Sequence, residues 1–127
     1  MNENKNQSIS IETNAAYISS SSEPEAARYV FAYTISIENT GDIGATLLSR
    51  HWLITDSNGK VQEVHGEGVI GEQPYLEPGE KYQYTSGTII ETSIGAMQGS
   101  YEMKDDDGEK FNATIKSFSL SIPRTLH

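Results

Sequence analysis

The stretch Arg28-Tyr29-Val30-Phe31-Ala32-Tyr33-Thr34-Ile35-Ser36-Ile37-Glu38 decides the fold class of this chain. Large apolar side chains recur at every second position from Tyr29 to Ile37. Successive side chains of a β-strand point to opposite faces of the sheet, so a period of two predicts a long strand with one strongly apolar face. Nothing in the chain shows a convincing period of 3.6 residues, which an amphipathic helix requires.

The same alternation recurs along the chain and is interrupted by turn signals. Asn58-Gly59 and Asp107-Gly108 are dipeptides typical of tight hairpins. We predict about seven strands, near residues 6–19, 28–39, 45–56, 60–66, 81–90, 97–104 and 109–121. Seven strands at this spacing predict an all-β antiparallel sandwich of the immunoglobulin-like kind, in which Trp52 on the third strand is a candidate core aromatic.

Three segments carry more specific expectations. The apolar positions change parity after Ile115, so Lys116-Ser117 predicts a bulge or a crossing between sheets. Ser19 to Glu25 is expected to be a polar loop, and Ile94 to Met97, short and flanked by glycines, is expected to form no more than a turn.

Length, charge and composition narrow the class of protein. The 127 residues predict a single domain, 1–127. A net charge of −9 opposes binding to nucleic acid and to anionic membranes, so we expect neither partner. The absence of cysteine fits a reducing compartment, and with no apolar segment resembling a secretory signal we expect a cytoplasmic location.

The letters of Gly66-Glu67-Gly68-Val69-Ile70-Gly71 match the GxGxxG pattern of phosphate-binding loops. That fingerprint normally lies between a strand and a helix, and no helix is predicted here. Two interpretations stay open. Gly66, Gly68 and Gly71 form an anion-binding loop, or they supply positive φ and close backbone approach, which we favour.

Other candidate chemistry has weaker support. His51, His65 and Glu63 would form a metal site only if two strands paired in the right register, so we assign no metal ligands. The acidic run Asp105 to Glu109 is expected to be a solvated turn. With no cysteine and no GxSxG motif, we assign no catalytic residue and no cofactor, and we expect no enzymatic activity.

An ordered set of blocks resembles the ApaG family. The blocks are Arg28–Tyr33, Ser49–Trp52, Glu63–Val64, Gly66–Pro74, Leu76, Pro78–Glu80, Tyr84–Gly87, Gly95–Tyr101 and the final Leu126–His127. The resemblance implies one ApaG domain with a fibronectin type III-like, seven-stranded sandwich. It also implies links to a cobalt and magnesium transport phenotype and to diadenosine-tetraphosphate metabolism, and an association of the domain with interaction partners in eukaryotic proteins.

Together these observations predict a non-enzymatic binding module for an unidentified protein partner. Its expected surface is the loop from His65 to Pro78, with Arg50, Trp52 and Glu72 nearby. The alternative is a small-ligand regulator that binds pyrophosphate, a nucleotide, or Mg²⁺ or Co²⁺ weakly, with Gly66–Gly71 as the loop. Exposed edge strands would also permit a homodimer.

Overall fold

The computed structural model describes residues 7–123, which form two antiparallel sheets packed face to face. The strands are β1 (Ile9–Tyr17), β2 (Tyr29–Asn39), β3 (Ala45–Asp56), β4 (Val61–Glu67), β5 (Tyr75–Leu76), β6 (Lys81–Ile90), β7 (Ile94–Asp105) and β8 (Lys110–Ser121). One sheet has the order β1-β2-β6; the other has the order β4-β3-β7-β8, with β5 paired to β3. The predicted antiparallel sandwich is confirmed.

The core lies between the sheets and is centred on Trp52, which is only 1% exposed. The rings of Tyr33, Phe118 and Tyr101 meet its indole edge-on at centroid distances of 5.4, 6.0 and 6.4 Å. The alternate residues Phe31, Tyr33, Ile35 and Ile37 of β2 are buried, as their spacing predicts. Edge-to-face aromatic contacts add stabilisation beyond the buried area, so this group fixes how the two sheets pack.

Two bulges change the register of the larger sheet. In the β7–β8 pair, Met97 lies opposite Phe118 while Gly99 lies opposite Ile115, so β8 carries one extra residue at Lys116-Ser117. The bulge predicted from the parity change is therefore confirmed. In the β3–β7 pair, the extra residue is Leu48, for which the sequence gives no parity signal.

Some local predictions need correction. Strand β7 starts at Ile94 rather than at residue 97, so Ile94 to Met97 is part of a strand and not the expected turn. Gly95 permits a close approach to β3, since a Cβ there would lie 2.7 Å from the carbonyl oxygen of Thr55. The polar loop after β1 contains two short 3-10 turns, Ser19–Ser21 and Pro24–Ala26. The predicted start of the first strand at residue 6, and Leu126–His127, lie outside the described residues.

The acidic hairpin is organised by a buried carboxylate. Asp105 is buried, and its Oδ1 accepts backbone hydrogen bonds from Asp107 and Glu109 at 2.9 and 3.0 Å. In the hairpin between β3 and β4, Oδ1 of Asp56 likewise accepts backbone hydrogen bonds from Asn58 and Lys60. The expectation of a solvated turn is therefore wrong for Asp105, which is buried and holds the turn through these hydrogen bonds.

No helix in the described part of the chain is long and apolar enough to cross a membrane.

Candidate functional site

The segment 66–74, which we name the glycine loop, is tied to the bulge of β3. The amide of Gly68 and the side-chain amide of Gln73 both donate to the carbonyl oxygen of Leu48, each at 2.8 Å. The amide of Leu47 donates to the carbonyl oxygen of Pro74 at 2.9 Å. Both ends of the loop are therefore hydrogen-bonded to β3 at Leu47 or Leu48, where the strand bulges.

The tip of the glycine loop is a two-residue turn. Val69 and Glu72 exchange two backbone hydrogen bonds of 2.8 and 2.9 Å, which leaves Ile70 and Gly71 at the turn. Their φ angles are +41° and +82°, and positive φ at both central residues is the pattern of a type I′ turn. Val69 is fully buried, whereas Ile70 is 57% exposed. The loop thus anchors one apolar side chain in the core and presents the next to solvent.

Ile70 holds an unfavourable backbone conformation. A β-branched residue at positive φ is a clear outlier, since its Cβ crowds the backbone, and such residues cost about 1–3 kcal/mol. Asparagine and glycine are the usual residues at this position of a type I′ turn. Isoleucine is not a turn-forming residue, so the turn at Ile70 was not predicted from the sequence.

Each glycine of the GxGxxG string meets a different structural need. A Cβ at Gly66 would lie 2.6 Å from the guanidinium carbon of Arg50. Gly68 has φ of +62°, and a Cβ there would lie 2.1 Å from the carbonyl oxygen of Glu72. Gly71 has positive φ but open space around it. These three requirements agree with the structural interpretation of the motif.

Arg50 holds the glycine loop through its carbonyl groups. Its Nη1 donates to the carbonyl oxygens of Glu67 and Gly68 at 3.1 and 3.0 Å. A phosphate cradle needs converging amides, but the amides of Gly68 and Val69 already donate to backbone carbonyls. Anion binding at Gly66, Gly68 and Gly71 remains a prediction, and the backbone here is arranged around a cation of the protein itself.

Acidic side chains surround the tip of the loop. Glu67 and Glu72 line a shallow hollow together with Gly71 and Gln73. The hydroxyl of Tyr82 on β6 donates to Oε1 of Glu72 at 3.1 Å. Desolvation and this hydrogen bond raise the pKa of Tyr82. The exposed Ile70 therefore projects from a surface of negative charge.

A buried tyrosine pair lies on the inner face near Arg50. Tyr101 is opposite Arg50 in the β3–β7 register, and its hydroxyl is hydrogen-bonded to that of Tyr84 on β6. Burial raises the pKa of Tyr84 to about 12 and raises that of Tyr101 as well. Both phenols therefore stay neutral near pH 7 and link the two sheets.

The outer face of the same sheet carries a second cluster, His51, Glu63 and His65. His51 and His65 are directly opposite each other on β3 and β4, and their rings stack with centroids 4.3 Å apart. Oε2 of Glu63 lies 2.7 Å from Nε2 of His51 and 3.0 Å from Nε2 of His65. These hydrogen bonds, the one with His51 first, lower the pKa of Glu63.

Some of the residues proposed from the sequence lie at the glycine loop, and one lies in the core. Arg50 contacts the glycine loop and Glu72 is part of it, but Trp52 is buried in the core and does not contribute to a surface. Trp52 shares the inward parity of Arg50, and the rings of Tyr33, Tyr101 and Phe118 pack against it. The β3–β4 register, which brings His51, Glu63 and His65 together, could not be predicted from the sequence. Ile70 was not predicted from the sequence to be a functional residue.

These features define a two-sheet β-sandwich protein in which the bulge of β3 is hydrogen-bonded to the glycine loop. The model of the ApaG domain matches residues 19–105, and the chain belongs to the ApaG family. It is 55% identical to Protein ApaG of Thiobacillus denitrificans and 53% identical to Protein ApaG of an Azoarcus species, over the full length of both chains. A crystal structure from Bordetella pertussis, described as an ApaA protein, has a TM-score of 0.92 at 45% identity and covers 95% of this chain and 98% of that one.

Proposed function

We propose that this chain is a non-enzymatic binding module that engages a protein partner through the glycine loop, with Ile70 as the apolar anchor. The observation that carries the proposal is the backbone of Ile70, which combines φ of +41° with 57% exposure. Strained residues of this kind cluster at ligand clamps and other functional positions. A strained and exposed apolar side chain at a loop tip therefore supports a binding role.

The support for Ile70 comes from outside the turn. Val69 packs in the core, Gly68 and Gln73 are bonded to Leu48, and Arg50 holds the preceding carbonyls. The exposed side chain of Ile70 gains little burial within its own chain to offset the strain. Because the loop is already ordered, binding through it would lose little conformational entropy, which favours affinity.

The charge around Ile70 indicates the chemistry of the partner. Glu67 and Glu72 flank the turn, and the whole chain carries a net charge of −9. A complementary protein would present an apolar pocket with a basic rim, and long-range attraction would speed the encounter at low salt. We also propose that the protein acts in the cytoplasm.

A capture experiment with matched variants tests the proposal. The wild type, Ile70→Asn and Ile94→Asn are immobilised and exposed to a lysate; Ile94 is a control of similar exposure, 54%, on β7. We expect one or more protein bands to be retained by the wild type and by Ile94→Asn, to be lost with Ile70→Asn, and to weaken with added salt. The same bands with all three proteins would contradict the proposal.

A further inference from the structure

We propose that His51, Glu63 and His65 form a binding site for one transition-metal dication of the Zn²⁺ type. The three side chains supply two imidazole nitrogens and a carboxylate oxygen, and these ligand atoms all lie within 4.8 Å of one another. Two histidines and one glutamate are a known three-ligand set for zinc, with a fourth position left to water. The site lies on the outer face of β3 and β4, and it does not include Ile70 at the tip of the glycine loop.

The sheet geometry preorganises the ligands. His51 and His65 face each other across adjacent strands, and Glu63 lies two residues before His65, so all three side chains are on one face. The close approach of β7 keeps β3 in place: a Cβ at Gly99 would come within 2.0 Å of the carbonyl oxygen of His51. Neither strand needs to move for the ligand atoms to converge.

The ligand atoms of His51, Glu63 and His65 can bind a zinc ion once their side chains rotate. Atoms bound tetrahedrally to zinc at 2.0–2.2 Å lie roughly 3.3 Å apart. The two Nε2–Oε2 separations are 2.7 and 3.0 Å, because hydrogen bonds now join them. To admit the metal, these two separations must widen by about half an ångström. The stacked imidazoles, whose planes are 21° apart, must also rotate so that both Nε2 lone pairs meet at one point. His65 and Glu63 are exposed enough for such rotations. Each neutral imidazole would then bind through Nε2 and keep its proton on Nδ1.

The ligand chemistry selects the class of ion. Imidazole suits zinc, copper, nickel and related ions, whereas magnesium and calcium prefer sites made of oxygen ligands alone. His51 also borders a shallow hollow lined by Gln98, Ser100 and Thr114, which leaves space beside the cluster for water on the metal. Acid should weaken binding, because protons compete with the metal for both imidazoles.

Calorimetric titration of the full chain with Zn²⁺ tests the site. We expect one Zn²⁺ per chain, a raised melting temperature with Zn²⁺, and no competition from Mg²⁺. Glu63→Gln and His65→Phe should each lower the affinity by about tenfold or more, since even supporting groups of metal sites change affinity by about 10–100-fold. Glu12→Gln, an exposed carboxylate on β1, and His127→Gln, outside the described residues, are controls that should bind like the wild type.

Two further readouts separate loss of binding from loss of fold. Melting temperatures of all variants in EDTA identify any variant that is unfolded. In the wild type, Zn²⁺ should shift the imidazole NMR signals of His51 and His65 and not those of His127. The proposal is wrong if the wild type gives no saturable binding at millimolar Zn²⁺, if folded Glu63→Gln and His65→Phe bind like the wild type, or if His127→Gln alone abolishes binding.

Discussion

The guanidinium group of Arg50 occupies the space that Gly66 leaves by having no side chain. A Cβ at residue 66 would lie 2.6 Å from the guanidinium carbon. From this position Arg50 donates to the carbonyl oxygens of Glu67 and Gly68. The first glycine of the motif thus makes room for the cation that holds the loop.

This relationship predicts coupling between the two residues. Gly66→Ala should destabilise the domain by about 1–2 kcal/mol, because the displaced Arg50 loses its hydrogen bonds to the loop. In an Arg50→Met background those bonds are already gone, so Gly66→Ala should have a much smaller effect. Urea unfolding of the four proteins of this double-mutant cycle gives the coupling energy. Additive effects would show that Arg50 and Gly66 act independently.

The other two glycines should differ from each other in a predictable way. Gly71→Ala should lower the free energy of unfolding by about 1–2 kcal/mol, because alanine is strained in the left-handed region and nothing else crowds its Cβ. Gly68→Ala meets a similar penalty and also a clash with the backbone of Glu72, which typically adds about 1–3 kcal/mol. Thermal or urea unfolding should therefore rank the stabilities as wild type, then Gly71→Ala, then Gly68→Ala. Equal stability of the wild type and Gly68→Ala would contradict the structural interpretation of the motif.

Anion binding is the alternative interpretation of the glycine loop, and it can be tested directly. If the loop takes a phosphate group, titration with pyrophosphate or ATP should shift the amide NMR signals of Gly66, Gly68 and Gly71 in a saturable way. With the amide of Gly68 bonded to Leu48 and the carbonyls turned towards Arg50, we expect no such shifts at millimolar ligand. Saturable shifts at these three amides would favour the small-ligand alternative.

The buried tyrosine pair predicts sensitivity to alkali. The pKa of Tyr84 is about 12 in the folded chain, against about 10 when unfolded, and that of Tyr101 is raised in the same direction. The unfolded state therefore loses these protons first as the pH rises. The contribution of Tyr84 to stability is complete below about pH 10 and declines between about pH 10 and 12, by up to roughly 1.4 kcal/mol per pH unit. Tyr101 adds to the decline in the same direction. Urea unfolding between pH 9 and 11.5 measures this slope, and Tyr84→Phe should reduce it; an unchanged slope would mean that Tyr84 does not cause it.

The hydrogen bonds within the His51, Glu63 and His65 cluster predict an acidic shift at Glu63. In a carbon-13 NMR titration without metal, the pKa of Glu63 should lie below the usual glutamate value. His51→Phe should move it back towards that value more than His65→Phe does, because the bond from His51 has the larger effect. Phenylalanine keeps an aromatic ring in the stack and removes the donor. An ordinary Glu63 pKa in the wild type would mean that the cluster is not formed in solution.

Local sequence patterns were sufficient for much of the fold. The alternation in β2 and the parity change at Lys116-Ser117 are both local, so the strand and the bulge were predictable. The bulge at Leu48 was not, since the polar run Ser49-Arg50-His51 hides the change in parity of the buried positions between Leu47 and Trp52.

The candidate sites depended on information that is not local. The sequence supplied His51, Glu63 and His65 as candidates, but only the β3–β4 register shows that they converge. Trp52 was correctly expected in the core and wrongly considered for the surface, because a face cannot be assigned without knowing what covers it. The conformation of Ile70 opposes its own propensity, so no propensity argument would find it.

The central claim is that Ile70 contacts a protein partner. Its strain provides a first check: Ile70→Asn should raise the stability of the isolated domain by roughly 1 kcal/mol, since asparagine tolerates the left-handed region. A substitution that stabilises the fold while abolishing capture would separate a binding role from a structural one.

Photocrosslinking from position 70 is the most direct measurement. A photoreactive amino acid replaces Ile70 in one protein and Ile89, an exposed residue of β6, in a control, and both are irradiated in cells. We predict a discrete crosslinked product with a different protein from position 70 and none of the same size from position 89. No discrete product from position 70, or the same product from both positions, would contradict the claim.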